Sequence, residues 1–289
     1  MERYDIAIIG SGPAGVSAAI TAKIRNKNII LFGRADLSSK IKKASRILNY
    51  PGLPNVTGEE LVNALSEHLK SLDIPVTEKK VGSVYAMGDY FAMQADEDIV
   101  EAKSVILAAG VASNNTIKGE EEFLGRGVSC CATCDGALYR GKNIIVIGYG
   151  KSQEAEALYL SELAGQISYI PVYKQDTQLP EKVRIIRQTP DEIYGQMTVK
   201  GLKTREGNDL AADGIFVLRE SLPPRQLVPG IKTIENRVEV NISMETNIPG
   251  LFACGDIAGE PYQYIKAAGQ GNTAALSAVK FLSRQGGQL

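Results

Sequence analysis

Three of the four cysteines in this 289-residue chain lie almost side by side, and their spacing points directly to chemistry. Cys131 and Cys134 form a C-x-x-C pair, with Cys130 just before it and Cys254 far along the chain. A C-x-x-C turn can bring two sulfurs to disulfide distance and leave one thiol with a lowered pKa. Asp135 directly follows, and a carboxyl group there can pass protons to and from a leaving thiolate. The segment predicts a redox dithiol with Cys131, Cys134 and Asp135 as catalytic residues.

Two other interpretations of these cysteines stay open. A zinc or iron–sulfur site needs about four ligands, whereas the chain offers a doublet, Cys130 with Cys131, and a remote Cys254, so no metal is predicted. A pair of buried structural thiols is the second alternative. Cys254 itself lies in an apolar run, which favours a small buried residue over a reactant, and no role is assigned to Cys130.

The composition excludes several classes of function. Lys plus Arg number 32 against 33 Asp plus Glu, so nothing supplies the phosphate attraction that dominates nucleic-acid binding. His68 is the single histidine, which leaves almost no material for Ser/His hydrolysis or histidine-rich metal sites. The apolar run Ile6 to Ile9 is too short for a signal peptide or a membrane span. We therefore expect a soluble, cytoplasmic protein with no nucleic-acid or membrane partner.

The elements that would position such chemistry begin with a glycine-rich loop near the start of the chain. The apolar run Tyr4 to Ile9 predicts a buried strand, and Val16 to Lys27 predicts a helix. Between them, Gly10 permits a tight turn, Gly12 lets the backbone approach a pyrophosphate, and Gly15 lets the helix pack closely on the sheet. A glycine turn without a ligand is the alternative. The acidic residue expected about 20 residues later is missing, because Gly33 and Arg34 stand there.

The same arrangement returns in the second half of the chain. A strand from Asn143 to Ile147 leads into Gly148-Tyr149-Gly150 and a helix from about Lys151 to Leu163. The sequence therefore predicts an α/β fold with two dinucleotide-binding, Rossmann-like, three-layer domains. Further on, Gly255-Asp256 follows an apolar run and places a carboxylate at the carboxyl end of a strand, where ligands bind in such folds; a simple turn aspartate is the alternative.

Taken together, these segments resemble the low-molecular-weight thioredoxin reductases, in the family order and over nearly the whole chain. The matching segments are Ile9-Gly10-Ser11-Gly12-Pro13-Ala14-Gly15, Asn49-Tyr50-Pro51-Gly52, Ile106-Leu107-Ala108-Ala109-Gly110, Gly125-Arg126-Gly127-Val128, Cys131-Ala132-Thr133-Cys134-Asp135-Gly136, and Thr246-Asn247-Ile248-Pro249-Gly250-Leu251-Phe252-Ala253-Cys254-Gly255-Asp256.

The resemblance implies an FAD-binding domain, residues 1–112 and 244–289, interrupted by an NAD(P)-binding-like domain, residues 113–243, that carries the dithiol. In the family, Asn49 would lie near the flavin and Asp256 would bind the ribityl chain. The residues expected to contact FAD are Gly10, Ser11, Gly12, Pro13, Ala14, Gly15, Gly33, Arg34, Lys40, Asn49, Ala109, Gly110, Gly255, Asp256, Tyr264 and Ile265.

The resemblance also implies roles for the dithiol segment. Cys134 would face the flavin, Cys131 would attack thioredoxin, and Asp135 would donate the proton. Members of the family are homodimers whose domains swivel, so that the dithiol meets the flavin in one state and the partner protein in the other.

Departures from the family pattern concern the nucleotide site of the inserted domain. Gln153 replaces the third small residue of the second glycine motif, and its long side chain would crowd the pyrophosphate. The family places a pair of arginines after the next strand to bind a 2′-phosphate, whereas this chain has Tyr173 and Lys174 there. On the FAD side, Ser38-Ser39-Lys40-Ile41 and Tyr262-Gln263-Tyr264 also depart from the family residues.

These departures resemble the pyridine-nucleotide-independent branch, the ferredoxin-dependent flavin thioredoxin reductases. Ferredoxin is then the expected donor, and since ferredoxins are generally acidic, a basic docking face is expected. The densest basic cluster is Lys40, Lys42, Lys43 and Arg46, for which an ordinary solvated loop is the alternative. Two other functions stay open: a thioredoxin reductase driven by NADPH or NADH, and a non-catalytic flavin redox sensor.

Overall fold

The computed structural model describes residues 3–42, 44–110, 116–219, 222–235 and 237–286, without the side chains of Ser39, Lys40 and Cys134. The chain forms two compact units. We call Met1–Ala112 with Pro223–Leu289 the discontinuous unit and Ser113–Leu222 the inserted unit. Both contain a parallel sheet with helices, which confirms the predicted α/β fold class.

The elements follow one another in an order that repeats the strand–helix–strand pattern in each unit. The discontinuous unit begins with β1 (Tyr4–Ile9), α1 (Pro13–Ile24), β2 (Ile29–Phe32), α2 (Ser39–Lys42), α3 (Gly58–Ser71), β3 (Val76–Thr77), β4 (Val81–Ala86), β5 (Phe91–Ala95) and β6 (Asp98–Leu107). The inserted unit contains β7 (Val128–Ser129), α4 (Ala132–Asp135), a 3-10 turn (Gly136–Tyr139), β8 (Asn143–Gly148), α5 (Gln153–Leu163), β9 (Gln166–Pro171), β10 (Arg184–Ile185), β11 (Pro190–Gly195), β12 (Val199–Thr204), β13 (Asp209–Ala211) and β14 (Gly214–Leu218). The discontinuous unit then ends with α6 (Pro224–Leu227), β15 (Thr233–Ile234), β16 (Arg237–Val238), β17 (Leu251–Ala253), a 3-10 turn (Gly255–Ala258) and α7 (Tyr264–Gly286).

The sheet of the discontinuous unit is centred on the long strand β6. Its carboxyl-terminal half pairs in parallel with β1 and β17, and its amino-terminal half pairs antiparallel with β5. In register, Ile8 lies between Leu31 of β2 and Ile106 of β6, and all three side chains are buried. The run of apolar residues in β1 is thus buried on both faces of the sheet, as is usual for a central parallel strand.

Helices α1 and α7 pack closely on each other beside this sheet. A Cβ atom at Gly271 of α7 would lie 2.0 Å from the carbonyl oxygen of Ala14, so only glycine permits this approach. Helix α3 begins at a capping box: the Thr57 hydroxyl accepts the Glu60 N–H, and the Glu60 carboxylate accepts the Thr57 N–H at 2.7 Å. Thr57 and Glu60 thereby satisfy backbone donors that the first turn leaves open.

The inserted unit repeats this pattern on a smaller scale. Strands β10, β9, β8, β14 and β7 lie side by side in that order and run parallel. Strands β11, β12 and β13 form a separate antiparallel sheet. Ile145 and Ile147 of β8 and Val217 of β14 are buried in a core shared with the second sheet.

The predicted end of the inserted domain differs from the end of the compact inserted unit. The sequence places that boundary at residue 243, whereas the structure ends the inserted unit at Leu222. The next residues pack on the discontinuous unit: α6 contacts β4, and β16 contacts the 3-10 turn Gly255–Ala258. Residues 131–134 lie within the inserted unit, whereas the assignment of FAD to the discontinuous unit stays a proposal.

A membrane-spanning segment is not found among the described helices, because each is too short or too polar to cross a bilayer.

Candidate redox and dinucleotide sites

The first glycine loop fits a dinucleotide. At Gly10 the backbone has a φ of +115°, and a Cβ atom would lie 2.2 Å from the carbonyl oxygen of Ala108, so the loop turns tightly against the end of β6. At Gly12, the N-cap of α1, an added Cβ would meet no described atom within 4 Å. The first turn of α1 therefore presents open backbone at its positive end, where a pyrophosphate binds in this fold.

Ser11 ties the glycine loop to the chain that follows β2. Its buried hydroxyl donates to the Leu37 carbonyl at 2.9 Å and accepts the Arg34 N–H at 3.0 Å. A Cβ atom at Gly33 would lie 2.2 Å from the Ser11 Oγ, so the two segments touch. The Arg34 guanidinium turns to Asp36, with Nε 2.8 Å from Oδ1. The Ser11 side chain is thus engaged within the protein.

Four more of the predicted FAD residues follow parallel strands of the same sheet. Ala109 and Gly110 follow β6, and Gly255 and Asp256 follow β17, at the carboxyl ends of parallel strands. A Cβ atom at Gly255 would lie 2.9 Å from that of Ala14, so this turn touches the first turn of α1. Ligands bind at this edge in open α/β sheets, which supports a cofactor site there.

Two loops of the discontinuous unit meet through a pair of amides. The Asn49 Nδ2 donates to the Gln263 Oε1 at 2.7 Å and so joins the loop before α3 to the residues before α7. Tyr264 starts α7 and packs on the core, whereas Ile265 is 37 % exposed. The predicted contact of Lys40 lies outside the described side chains.

The dithiol segment follows β7 in the inserted unit. Cys131 is disulfide-bonded and only 5 % exposed. The Ser129 hydroxyl accepts the Cys131 N–H and donates to its carbonyl, both at 3.1 Å, so a serine two residues earlier holds the Cys131 backbone at both groups. The Asp135 N–H donates to the same carbonyl at 3.3 Å and closes the turn of α4. Because the side chain of Cys134 lies outside the described residues, its pairing with Cys131 stays a prediction.

The other two cysteines differ from each other in burial. Cys254 is fully buried, and burial raises the pKa of its thiol to about 12, which fits the prediction of a small core residue. Cys130 is half-buried. Within the described residues, no group of three or more His, Cys, Asp or Glu is arranged to hold a metal ion.

The second glycine motif is packed against the protein's own side chains. A Cβ atom at Gly148 would lie 2.0 Å from the hydroxyl of Tyr169, whose side chain is fully buried. The ring of the next residue, Tyr149, lies against Arg219, with the guanidinium carbon 4.3 Å from the ring centroid. Gly148, the counterpart of Gly10, thus packs against a tyrosine hydroxyl where Gly10 packs against the Ala108 carbonyl.

Arg219 forms a buried ion pair at the end of β14. Both its terminal nitrogens donate to the Glu120 carboxylate, one of them at 2.8 Å, and both side chains are 1 % exposed. Burial alone would lower the pKa of Arg219, but the hydrogen bonds and charge of Glu120 overcome this and raise it. The Glu120 carboxylate also accepts the Ile117 N–H at 3.0 Å. The pair is thus closed and fully desolvated.

A second buried carboxylate lies in the first turn of α5. Glu154 is 8 % exposed, accepts a hydrogen bond from the Tyr173 hydroxyl and accepts the Gln178 N–H at 2.9 Å. The Tyr169 hydroxyl lies 3.3 Å from that of Tyr173, and burial together with the bond to Glu154 raises the pKa of Tyr173. Gln153 is buried as well, and its Oε1 has no partner among the described residues.

These side chains gather where a dinucleotide would bind to the inserted unit. Tyr149, Tyr173 and Arg219 lie one or two residues beyond the carboxyl ends of adjacent parallel strands. Sequence reasoning identified the Gln153 and Tyr173 substitutions but missed Arg219 and Glu120. An arginine directly after an apolar strand was the available signal, because arginine is rarely placed there without a partner.

Comparisons with known proteins agree with this arrangement. Residues 4–271 match the family described as pyridine nucleotide-disulphide oxidoreductase. The thioredoxin reductase of Bacillus subtilis is 32 % identical, covering 96 % of this chain and 95 % of its own length. The thioredoxin reductase of Aquifex aeolicus is 34 % identical, covering 97 % and 94 %. The chain belongs to the thioredoxin reductase family. It is therefore a flavoprotein disulfide oxidoreductase, and the predicted FAD cofactor is confirmed.

One solved structure of the thioredoxin reductase family is especially similar. The crystal structure of a ferredoxin-flavin thioredoxin reductase from Clostridium acetobutylicum is 50 % identical, with a TM-score of 0.93 and 99 % of each chain covered. The suspected resemblance is thus confirmed. The identity of the electron donor is a separate matter, since the relatives from Bacillus and Aquifex are named only as thioredoxin reductases.

Proposed function

We propose that this protein reduces the disulfide of thioredoxin through Cys131 and Cys134, with FAD as cofactor and reduced ferredoxin as electron donor. Each ferredoxin gives one electron, so two are oxidised for each disulfide reduced. The two electrons and two protons convert the thioredoxin disulfide to a dithiol, while the enzyme dithiol returns to its disulfide.

The dithiol roles are supported by the surroundings of Cys131. Cys131 is disulfide-bonded, and the Ser129 hydroxyl bonds both its N–H and its carbonyl. These two hydrogen bonds would keep the backbone of Cys131 in place when the disulfide opens and closes. Cys131 would attack the thioredoxin disulfide, and Cys134 would receive electrons from the flavin. Asp135 would protonate the leaving thiolate, the role that the family resemblance implies for the carboxyl group directly after Cys134.

The FAD residues are proposed from the edge of the sheet in the discontinuous unit. The open backbone at Gly12 would hold the pyrophosphate, Asn49 would lie near the flavin, and Asp256 would bind the ribityl chain. Bound there, FAD would accept single electrons and pass on pairs. Ser11 would act indirectly, because its hydroxyl fixes the loop after β2.

The observation that carries the choice of donor is the self-filled nucleotide site of the inserted unit. The Arg219–Glu120 pair and the ring of Tyr149 lie at the end of β14 and β8, and Tyr173 is bonded to Glu154 after β9. A 2′-phosphate needs bidentate cations, and a buried carboxylate in this position repels it. These contacts disfavour the 2′-phosphate of NADPH. The similarity to a ferredoxin-flavin thioredoxin reductase supports ferredoxin over both NADPH and NADH.

A basic docking face for ferredoxin has partial support. Arg46 is exposed, whereas Lys42 lies 3.8 Å from Asp36, which offsets part of its charge. The side chain of Lys40 and all of Lys43 lie outside the described residues. A homodimer and a cytoplasmic location stay predictions.

A steady-state assay tests the proposal. Thioredoxin reduction is followed with reduced ferredoxin, NADPH or NADH as the sole donor, at equal electron supply. We expect turnover with ferredoxin and a rate at least about a hundredfold lower with either nucleotide. Turnover with NADPH at the ferredoxin rate would contradict the choice of donor, and no turnover with any donor would contradict the enzyme assignment.

A further inference from the structure

A lysine that the sequence did not single out holds the turn after β17. Lys266 is the third residue of α7, and its ammonium group is half-buried. Its Nζ donates to the Gly255 carbonyl at 3.0 Å and to the Gly259 carbonyl at 2.5 Å. Those carbonyls stand at the two ends of the 3-10 turn that carries Asp256. One side chain therefore fixes the turn at both ends.

The position of this lysine is electrostatically unfavourable. The amino-terminal end of a helix carries a partial positive charge, so a cation in the first turn of the 23-residue α7 is disfavoured. The described first turn of α7 contains no acidic residue to offset it. Burial lowers the pKa of Lys266, although Asp256 is near enough to raise it in part. Sites where such local rules are broken are usually functional or strained.

The turn that Lys266 holds is also coupled to the glycine loop. The Gly255 N–H donates to the Gln270 side chain at 2.9 Å, so α7 holds Gly255 through its N–H as well as its carbonyl. Gly255 has a φ of +79° and touches Ala14 in the first turn of α1. A shift of the turn would thus move Asp256 relative to the loop that begins at Gly10.

We propose that Lys266 is a positioning residue of the FAD site, which holds Asp256 in place and adds a positive charge that favours the reduced cofactor. Reduced flavin at neutral pH carries a negative charge on its ring, and a nearby cation is one of the groups by which proteins tune flavin electronics. The inference rests on the proposed binding of FAD at Asp256. It is independent of the electron donor.

Lys266→Met tests this role, with Lys280→Met as the matched control, because Lys280 is an exposed lysine on the same helix. FAD binding to the apoprotein is measured by quenching of flavin fluorescence, and the midpoint potential by dye equilibration with dithionite. We expect Lys266→Met to weaken the binding of oxidised FAD about tenfold and to weaken the binding of reduced FAD by about a further factor of ten. The further factor of ten corresponds to a fall of about 30 mV in the midpoint potential of the bound flavin, for a two-electron couple. Lys266→Arg should recover most of both losses, and Lys280→Met should match the parent protein.

The proposal is overturned if Lys266→Met binds FAD with the parent affinity and potential and only its thermal stability falls. If that variant does not fold, Lys266→Gln, which can still donate to one carbonyl, is measured the same way, and parent values again overturn it. Asp256→Asn separates the two assumptions. If Asp256→Asn leaves FAD binding unchanged, the ribityl assignment fails and, with it, the inference that Lys266 positions Asp256. If Asp256→Asn weakens FAD binding and Lys266→Met does not, the ribityl assignment stands and only the inference about Lys266 fails. Because dithionite is the reductant, failure of the ferredoxin assignment leaves these results unaffected.

Discussion

The hydroxyl of Tyr173 donates a hydrogen bond to the buried carboxylate of Glu154. Tyr173 follows β9, where the thioredoxin reductases that use NADPH are expected to present arginines to a 2′-phosphate. Tyr173 and the exposed Lys174 stand in place of those arginines, and the bond to Glu154 keeps the phenol of Tyr173 turned toward α5. The side chains beyond β9 and β14 thus bond to partners within the inserted unit, which supports the proposal that no nucleotide binds there.

Removing the Tyr173 hydroxyl should destabilise the protein. Tyr173→Phe leaves one donor fewer on the buried Glu154 carboxylate, and a hydrogen bond to a charged group contributes about 1.5–3 kcal/mol. We expect the free energy of unfolding in urea to fall by about 2 kcal/mol. Tyr194→Phe is the matched control, because its bond to Asp209 lies at the surface, and its effect should be within error. If both substitutions lowered the free energy of unfolding equally, the prediction would fail, because the Tyr173 hydrogen bond would then be as exposed to water as the surface bond of Tyr194.

The Arg219–Glu120 pair should respond differently to single and double substitution. Arg219→Met leaves the Glu120 carboxylate buried and uncompensated, which costs about 3–5 kcal/mol, whereas Glu120→Leu with Arg219→Met removes both charges and should recover most of that loss. Urea unfolding of the parent, both single variants and the double variant gives the coupling energy. The exposed Lys118–Glu192 pair is the control, and it should show no measurable coupling. Additive losses at Arg219 and Glu120 would be inconsistent with a closed ion pair.

The dithiol assignment predicts a separation of half-reactions. Cys134→Ser should abolish thioredoxin reduction, because no disulfide can then form with Cys131, while ferredoxin should still reduce the flavin. Cys130→Ser, one residue outside the pair, should retain most of the parent rate. Thioredoxin turnover and flavin absorbance are measured in the same preparations. Unchanged turnover in Cys134→Ser would remove the proposed dithiol mechanism.

Cys254 predicts a pH dependence of stability at alkaline pH. Burial raises the pKa of its thiol from 9.0 to about 12, so the folded state favours the neutral form more strongly than the unfolded state does. The contribution of the neutral thiol to the free energy of unfolding is therefore fully present below pH 9. It is lost as the pH rises toward 12, which lowers the free energy of unfolding by up to ~4 kcal/mol. Tyrosines titrate in the same pH range. The quantity to measure is therefore the difference in the free energy of unfolding between the parent protein and Cys254→Ala. That difference should be constant below pH 9 and change above it; a constant difference up to pH 12 would disprove the buried neutral thiol.

The sequence predicted those parts of the molecule that depend on local pattern. The strand–glycine–helix order at the start of the chain is one such pattern. The predicted strand Tyr4 to Ile9 is observed, and the helix predicted from Val16 to Lys27 is observed three residues earlier, as Pro13–Ile24. The structure divides the chain after Leu222 and not at the predicted residue 243, because the chain from Pro223 onward packs on β4 of the discontinuous unit, and such packing has no local sequence signal.

The candidate sites were less predictable where partners are distant in sequence. Arg219 and Glu120 are 99 residues apart, and charged residues are usually exposed, so neither suggested a buried pair. The sequence around Lys266 also gives no signal. Its unfavourable position follows only from the structure, which starts α7 at Tyr264 and so places the charge of Lys266 in the first helical turn. The glycine loop and the C-x-x-C pair were identifiable because their chemistry requires fixed spacing.

Anaerobic titration of the flavin tests the choice of donor most directly. The purified holoprotein is mixed in one series with reduced ferredoxin and in the other with NADPH, and the visible flavin absorbance is recorded. The filled nucleotide site predicts bleaching by ferredoxin in proportion to the electrons added and none by NADPH in excess. Rapid bleaching by NADPH at micromolar levels would contradict the account, because the nucleotide would then reach a site that Tyr149, Tyr173 and Arg219 are inferred to occupy.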